Sequence, residues 1–340
     1  MSTKGAYISV GENIHCTRVR MTNGKFVAIA QDGSAALLFQ ENGVRRQMPV
    51  PAVVIADDEW QNGRVRHVAV AAQHGLYGTV EEKALGACYV AAIAREQEAA
   101  GAWFLDVNVD EFSMERVDKI KALRWACQVV QQASKVALSI DSSDPEILEA
   151  GLAVCDPAHG KPLVNSVSLE RAELIPLIVK VGANVIAGAS GVASMPESVA
   201  ARLENIGRLM EILLSAGVKL GEIYLDPLVY PASVDVKNAA VVLEAIRALR
   251  AQYGPEIHFA PGLSNISYGY PKRTIINQVF ARLCLDAGCD GGIVDPVHIN
   301  DRLLASIDYQ VESYRLAREL LLGNDEYGMN YIQAFREERN

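Results

Sequence analysis

The stretch EIHFA-PGLSNISYGYPKR, residues 256–273, runs from a short hydrophobic strand into a polar loop and then into a helical pattern that starts near Thr274. The loop carries Ser264, Asn265, Ser267, Lys272 and Arg273, more polar side chains than a plain connection needs. Loops at the carboxyl ends of strands are where α/β barrels keep their chemistry. Working outward, the same rhythm recurs across the chain. Strand patterns are read at 6–10, 103–107, 136–141, 163–167, 184–188, 223–226, 257–260 and 292–295. Helix-period patterns follow at 82–100, 115–133, 145–152, 171–181, 196–215, 238–252, 274–287 and 302–321. Pro145 and Pro196 fit first helical turns, and Gly151, Gly182, Gly217 and Gly288 fit helix stops. Alternation of strand and helix predicts parallel strands with right-handed crossovers, and eight units predict closure into a (β/α)8 barrel. The competing architecture is a doubly wound open sheet.

One segment breaks the rhythm. FVAIAQDGSAALLFQENGVRRQMPV, residues 26–50, reads as three short strands joined at Gln31-Asp32-Gly33 and Glu41-Asn42-Gly43, both hairpin turn signals. A further β-like run follows at 65–70. Residues 20–75 are therefore expected to form an antiparallel insertion in the first βα loop, either a lid or docking element or a surface ornament. The barrel is expected to be one domain over residues 1–323, followed by a polar tail at 324–340 that forms a short terminal helix.

Composition bounds the function. With 340 residues, 50% hydrophobic, the chain can build one large core. Its 32 basic against 41 acidic residues give a net charge of -9 with no basic stripe, which argues against a nucleic acid or an anionic membrane as partner. Six scattered cysteines without a Cys-x-x-Cys pair read as reduced thiols of a cytoplasmic protein. No apolar leader and no membrane-length apolar run is evident.

Polar residues recur at the strand ends: Gly11-Glu12-Asn13, Asp106-Val-Asn108-Val-Asp110-Glu111, Asp141-Ser142-Ser143, Asn165-Ser166, Asp226-Pro227, Ser264-Asn265 and Asp295-Pro296. A single Asp or Asn after a strand is usually a helix cap, and Asp144 before Pro145 reads as one. Seven such ends together are better explained by a shared ligand, because crowded carboxylates and carboxamides are costly unless paired or bound. A ring of Asp and Asn suits a flat heterocycle with N–H, NH2 and C=O edges. No phosphate cradle or nucleophile–base pair stands out. His15 and Cys16 are adjacent and point apart, and no third ligand follows from spacing, so no metal site is expected. His298 reads as a loop histidine.

In this order, Gly11-Glu12-Asn13, Asp106-Val-Asn108, Ile140-Asp141-Ser142, Glu149-Ala-Gly151-Leu152, Asn165-Ser166, Asp226-Pro227-Leu228 and Gly262-Leu-Ser264-Asn265-Ile-Ser267 resemble the methyltetrahydrofolate:corrinoid protein methyltransferase family. That pterin-binding family includes the folate domain of cobalamin-dependent methionine synthase. The resemblance spans residues 6–296, the inserted hairpins excepted. It implies a TIM-type (β/α)8 barrel, commonly a homodimer, that exchanges methyl between N5 of tetrahydrofolate and the cobalt of a corrinoid. By position, Asp141, Asn165 and Asp226 match residues that hydrogen-bond the pterin, and Asn265 matches the asparagine that reaches N5. Asp106 and Asn108 match further cavity positions, with Glu12 and Asn13 at the floor or rim. Ser267 belongs to the same loop, and Lys272 or Arg273 would meet the folate tail. Tyr268 or Tyr270 could stack on substrate. The hairpin insertion departs from the family pattern. No Asp-x-His-x-x-Gly corrinoid signature occurs, so the cobalamin is expected to ride on a partner protein. The implied setting is a demethylation or other one-carbon pathway that ends on tetrahydrofolate. Alternatives are a dihydropteroate synthase-like enzyme, although Asn13-Ile-His-Cys-Thr-Arg18 does not resemble its usual loop, and a non-catalytic folate-binding component of a corrinoid complex.

Overall fold

The computed structural model describes residues 7–192 and 194–336. Among the described residues thirteen strands are distributed over three sheets. In chain order they are β1 (Ile8–His15), β2 (Val19–Met21), β3 (Val27–Ile29), β4 (Ala35–Glu41), β5 (Val44–Pro49), β6 (Arg64–Arg66), β7 (Phe104–Asn108), β8 (Ala137–Asp141), β9 (Leu163–Val167), β10 (Asn184–Gly188), β11 (Ile223–Asp226), β12 (His258–Phe259) and β13 (Gly291–Val294). Eight of them form one sheet in the order β12-β11-β10-β9-β8-β7-β1-β13. Where registers are resolved within it, β7–β8, β10–β11 and β11–β12 are parallel. A parallel bridge between Gly262 and Ile293 brings the end of the seventh barrel strand beside the eighth. This is the expected (β/α)8 barrel with an antiparallel insertion after its first strand. Strands such as β7 and β13 are buried at every residue, as parallel strands covered by helices must be.

The chain forms two compact units. One contains residues 11–99 and 104–163 and the other residues 7–10, 100–103 and 164–336. In the first, helix Arg116–Ala133 buries Leu123, Ala126, Cys127 and Val130, an apolar stripe at helical spacing. Asp144 caps helix Pro145–Leu152 by accepting from the Glu146 and Ile147 N–H groups at 2.9 and 3.4 Å, with Pro145 in the first turn. Gly151 lies inside this helix rather than at its stop. A Cβ there would come within 2.7 Å of both Ile140 Cγ2 and Leu123 Cδ2, so the glycine allows close packing.

The insertion is an antiparallel sheet β3-β4-β5 with a separate antiparallel pair, β2–β6. Its hairpins turn where expected. Asp32 accepts from the Ser34 N–H and hydroxyl at the first, and Asn42 and Gly43 both take positive φ at the second. The β-like run at 65–70 divides, because the strand ends at Arg66 and helix His67–Tyr77 begins.

In the second unit, helix Val199–Ser215 starts three residues past Pro196, at the Ser198 cap. The long helix read at 302–321 breaks into Asp301–Ala305 and Glu312–Leu321. The terminal helix Met329–Arg336 buries Tyr331 and Phe335, and the Tyr331 hydroxyl donates to the Lys272 carbonyl at 3.2 Å. Residues 337–340 of the expected tail lie outside the described part. All six cysteines are free thiols. Among the described residues no helix is long and apolar enough to cross a membrane.

Candidate active site

Two polar clusters stand at the barrel strands, one in each unit. The first is built on β1, β7 and β8. A strand's two-residue period puts Asp106 and Asn108 on one face of β7, and the parallel register sets Asp141 beside Asn108. Asp106 is fully buried in the middle of an apolar strand. Its Oδ2 lies 2.8 Å from His15 Nε2. Asn108 donates from Nδ2 to Asp141 Oδ2 at 3.0 Å and accepts the Asp110 N–H at its own Oδ1, also at 3.0 Å, which fixes its amide orientation. Asp110 in turn accepts the Ser142 hydroxyl at 2.8 Å and the Ser143 N–H. Glu12, expected at the floor or rim, lies within β1 because that strand runs on to His15. It is buried and paired with Arg18 at 2.5 Å.

These contacts set the charges. Burial and then the neighbouring Asp106 charge push the Asp141 carboxyl up to about 7, against the opposing pull of His15 and the Asn108 bond. For His15 burial disfavours the cation. Its bond to Asp106 and the charges of Asp106, Asp141 and Glu12 outweigh that and raise its pKa. One ligand atom each from His15, Asp106 and Asp141 lie within 4.8 Å of one another, a separation that a metal ion could bridge. The His15–Asp106 pair already occupies the nearest donor and acceptor, and we assign no metal. Sequence spacing around His15 gave no hint of this trio, because its members come from three strands. The available signal was an aspartate inside the apolar run Phe104–Asn108.

The second cluster surrounds the ends of β11 and β12. Asp226 accepts the Leu228 N–H at 2.8 Å and the Gly262 N–H, with Leu228 held at a φ of 63°. Burial pushes its carboxyl up to about 6, while the two N–H bonds and the Arg202 charge pull it down. Asn265 sits exposed on the 3-10 turn Leu263–Ser267. That turn is fastened by Arg273, which donates to the Ser267 hydroxyl at 3.0 Å and to the Ser264 carbonyl at 2.7 Å. Ser267 is buried, and the Arg273 guanidinium lies 5.9 Å from the Tyr268 ring centre. Asn165 is part-buried in β9, and its peptide bond to Ser166 is cis. Sequence reading missed Arg202. It falls on the apolar stripe with Ile206, Leu209 and Leu213, and a cation on a buried stripe was the signal.

Comparison with known proteins follows this geometry. The family model described as pterin binding enzyme matches residues 85–295, more than half of the chain. The chain belongs to the pterin-binding enzyme family. A methylcorrinoid:tetrahydrofolate methyltransferase from Eubacterium limosum is 33% identical over 250 residues, covering 71% of this chain and 84% of that protein. Methionine synthase of Mycobacterium tuberculosis is 30% identical over 222 residues, 59% of this chain but 18% of that much longer protein. The expected kinship with the methyltetrahydrofolate:corrinoid methyltransferases is thereby borne out, and the chain is an enzyme of the methyltransferase class. Among solved structures, a dihydropteroate synthase from Xanthomonas albilineans complexed with 7,8-dihydropteroate superposes with a TM-score of 0.52 at 15% identity, over 65% of this chain and 83% of that one. The 7,8-dihydropteroate synthase of Vibrio fischeri gives 0.52 at 13% identity, over 67% and 84%. At such identities these likenesses speak for the pterin-binding barrel alone.

Proposed function

We propose that this pterin-binding enzyme moves a methyl group from the cobalt of a corrinoid protein to N5 of tetrahydrofolate, within a demethylation or other one-carbon pathway. The observation that carries this reading is the 33% identity to a methylcorrinoid:tetrahydrofolate methyltransferase across 84% of that protein. The site chemistry agrees with it. Asp141 and Asp226 are carboxyls that burial makes expensive to ionise, raised to about 7 and about 6, so a ligand that brings N–H groups to them regains energy on binding. The ring N–H and NH2 groups of a pterin are such donors. Asn108 orients Asp141, and Asn165, Asp106 and Glu12 complete the pterin contacts in this reading.

Asn265 is assigned to N5. The acceptor nitrogen attacks with its lone pair, the methyl–cobalt bond breaks with its electrons left on the metal, and N5 gives up its proton to water. A carboxamide can donate to the lone pair of one state and accept the N–H of the other, so it follows N5 through the charge change without a side-chain nucleophile. Ser267 and Arg273 hold its turn, with the Arg273 cation at hand for the folate tail. The corrinoid is carried by a partner protein, and the enzyme works as a homodimer in the cytoplasm. The test is anaerobic mixing with methylcobalamin and tetrahydrofolate, following the methyl–cobalt absorption band. Loss of the band that requires folate and an intact Asn265 is expected. Tight folate binding with no transfer, from free methylcobalamin or from any methylated corrinoid protein, would refute the catalytic reading.

A further inference from the structure

Helix Val199–Ser215 encloses a single arginine in its apolar stripe, and Arg202 is fully buried. Burying a guanidinium costs several kcal/mol unless charge and donors are matched, and an apolar side chain of similar volume often serves stability as well or better. The partners of Arg202 are concentrated on one turn. Its Nε donates to the Pro227 carbonyl at 2.7 Å, and Nη1 donates to the Ser198 carbonyl at 3.3 Å. The guanidinium lies 4.9 Å from the centre of the Tyr230 ring. Nη2 and the Tyr230 hydroxyl, both buried, have no hydrogen-bond partner among the described residues. Packing alone does not account for a cation placed at such cost.

The chain it grips is the end of β11. Pro227 separates Asp226 from Leu228, whose N–H closes back on the Asp226 carboxylate at 2.8 Å in a left-handed conformation. Fixing the Pro227 carbonyl therefore fixes both the direction of the Asp226 side chain and the N–H that binds it. Among the described residues, the charge acting on Asp226 to favour its ionised form, against burial, is that of Arg202. The other titratable groups at this place are Tyr230, which faces Arg202 and Asp226, and Glu197, which faces Tyr230.

We propose that Arg202 is a positioning residue for Asp226: it clamps the Asp226-Pro227-Leu228 turn and supplies the buried positive charge that keeps Asp226 a hydrogen-bond acceptor at neutral pH. The role rests on the reading of Asp226 as a pterin ligand given above. It adds a residue that touches no substrate and acts through the carboxylate.

The experiment compares the whole protein with Arg202→Met and Arg202→Lys. The Asp226 carboxyl is titrated first without ligand by carbon NMR, its resonance assigned by its disappearance in Asp226→Asn. Its midpoint should rise by about one pH unit or more in Arg202→Met, where one buried opposite charge is lost, and stay near the wild-type value in Arg202→Lys. Tetrahydrofolate binding is then followed by calorimetry against pH. The acid limb of the affinity profile should move up with the midpoint in Arg202→Met, about fivefold weaker at pH 6 for a one-unit rise, and return in Arg202→Lys. If Arg202→Met does not fold by circular dichroism, Arg202→Gln replaces it, removing the charge while keeping an N–H for Pro227. Equal Asp226 midpoints in the wild type and the folded neutral variant would overturn the inference. A shifted midpoint in a protein that binds no folate would instead refute the folate reading and leave the action of Arg202 on Asp226 intact.

Discussion

Replacing Asp141 by asparagine should make the protein more stable and less able to bind its ligand. The carboxyl stands at about 7 in the fold against an ordinary value of 3.8, a difference of about three units. Each unit corresponds to about 1.4 kcal/mol, so ionised Asp141 costs the folded state about 4 kcal/mol above neutrality. A group whose folded pKa is raised favours the fold below its unfolded value and loses that contribution as pH climbs through the folded one. The penalty is thus absent below pH 4, grows between 4 and 7, and is complete by pH 8. Asparagine keeps an acceptor for Asn108, whose bond spans 3.0 Å, but loses its charge-assisted strength, about 1 kcal/mol. It also withdraws one of the carboxylates that support the His15 cation. The net expectation is a gain of about 2–3 kcal/mol at pH 8 that shrinks toward zero on acidification. Urea unfolding at pH 5 and pH 8 measures it. Tetrahydrofolate affinity should fall about 10–100-fold, since the new amide NH2 opposes a ring donor. An Asp141→Asn protein that is less stable than the wild type at pH 8 would refute the reasoning, because the carboxylate would then be fully satisfied without ligand.

Other substitutions separate the site from its support. Asn265→Ala, on an exposed turn, should leave the urea midpoint unchanged and slow methyl transfer on the order of a hundredfold, as loss of one polar group at the reacting atom does elsewhere; unchanged turnover in the methylcobalamin assay would sink its role. His15→Gln should flatten the stability profile at alkaline pH. The raised His15 pKa favours the fold below about 6.5 and that contribution is lost as pH rises through the folded value, which unfolding curves from pH 6 to 9 resolve. Gly86→Ala should cost about 1–3 kcal/mol in urea unfolding, because the new Cβ would collide with the Ala71 carbonyl where helices His67–Tyr77 and Val80–Ala99 cross. Asp144→Ala should cost about 1 kcal/mol by uncapping helix Pro145–Leu152, with no effect on folate affinity.

What could be read from the chain and what could not divides along a physical line. Strand–helix alternation, the two hairpin turns and the Asp144 cap are local, each decided by residues within a few positions of one another, and they were legible. Boundaries shifted where tertiary demands overrode a local signal. Gly151 looks like a helix stop but is a packing contact against Ile140 and Leu123. Gly11-Glu12-Asn13 looks like a strand end, yet β1 continues to His15, and the extra two residues bring that histidine to Asp106. The polar types at the strand ends were visible, because aspartate and asparagine inside apolar strands announce themselves. Their pairing was not, because no spacing rule connects positions 15, 106 and 141.

The same division separates charge state from residue type. Asp106, Asp141 and Asp226 are indistinguishable in one-letter code. In the fold Asp106 is matched by His15, Asp141 holds one amide bond beside a like charge, and Asp226 holds two backbone N–H bonds in the field of a buried arginine. The first has one carboxylate oxygen paired with His15. The other two are carboxyls lifted toward neutrality, at about 7 and about 6, so N–H donors brought to either one would favour its ionised form. Ligand binding to such groups must take up or release protons as pH crosses their midpoints. Calorimetry of tetrahydrofolate binding in buffers of different ionisation enthalpy should therefore show proton release between pH 6 and 7, reduced in Asp141→Asn. Binding that exchanges no protons across this range would mean that the carboxyls do not receive the ring.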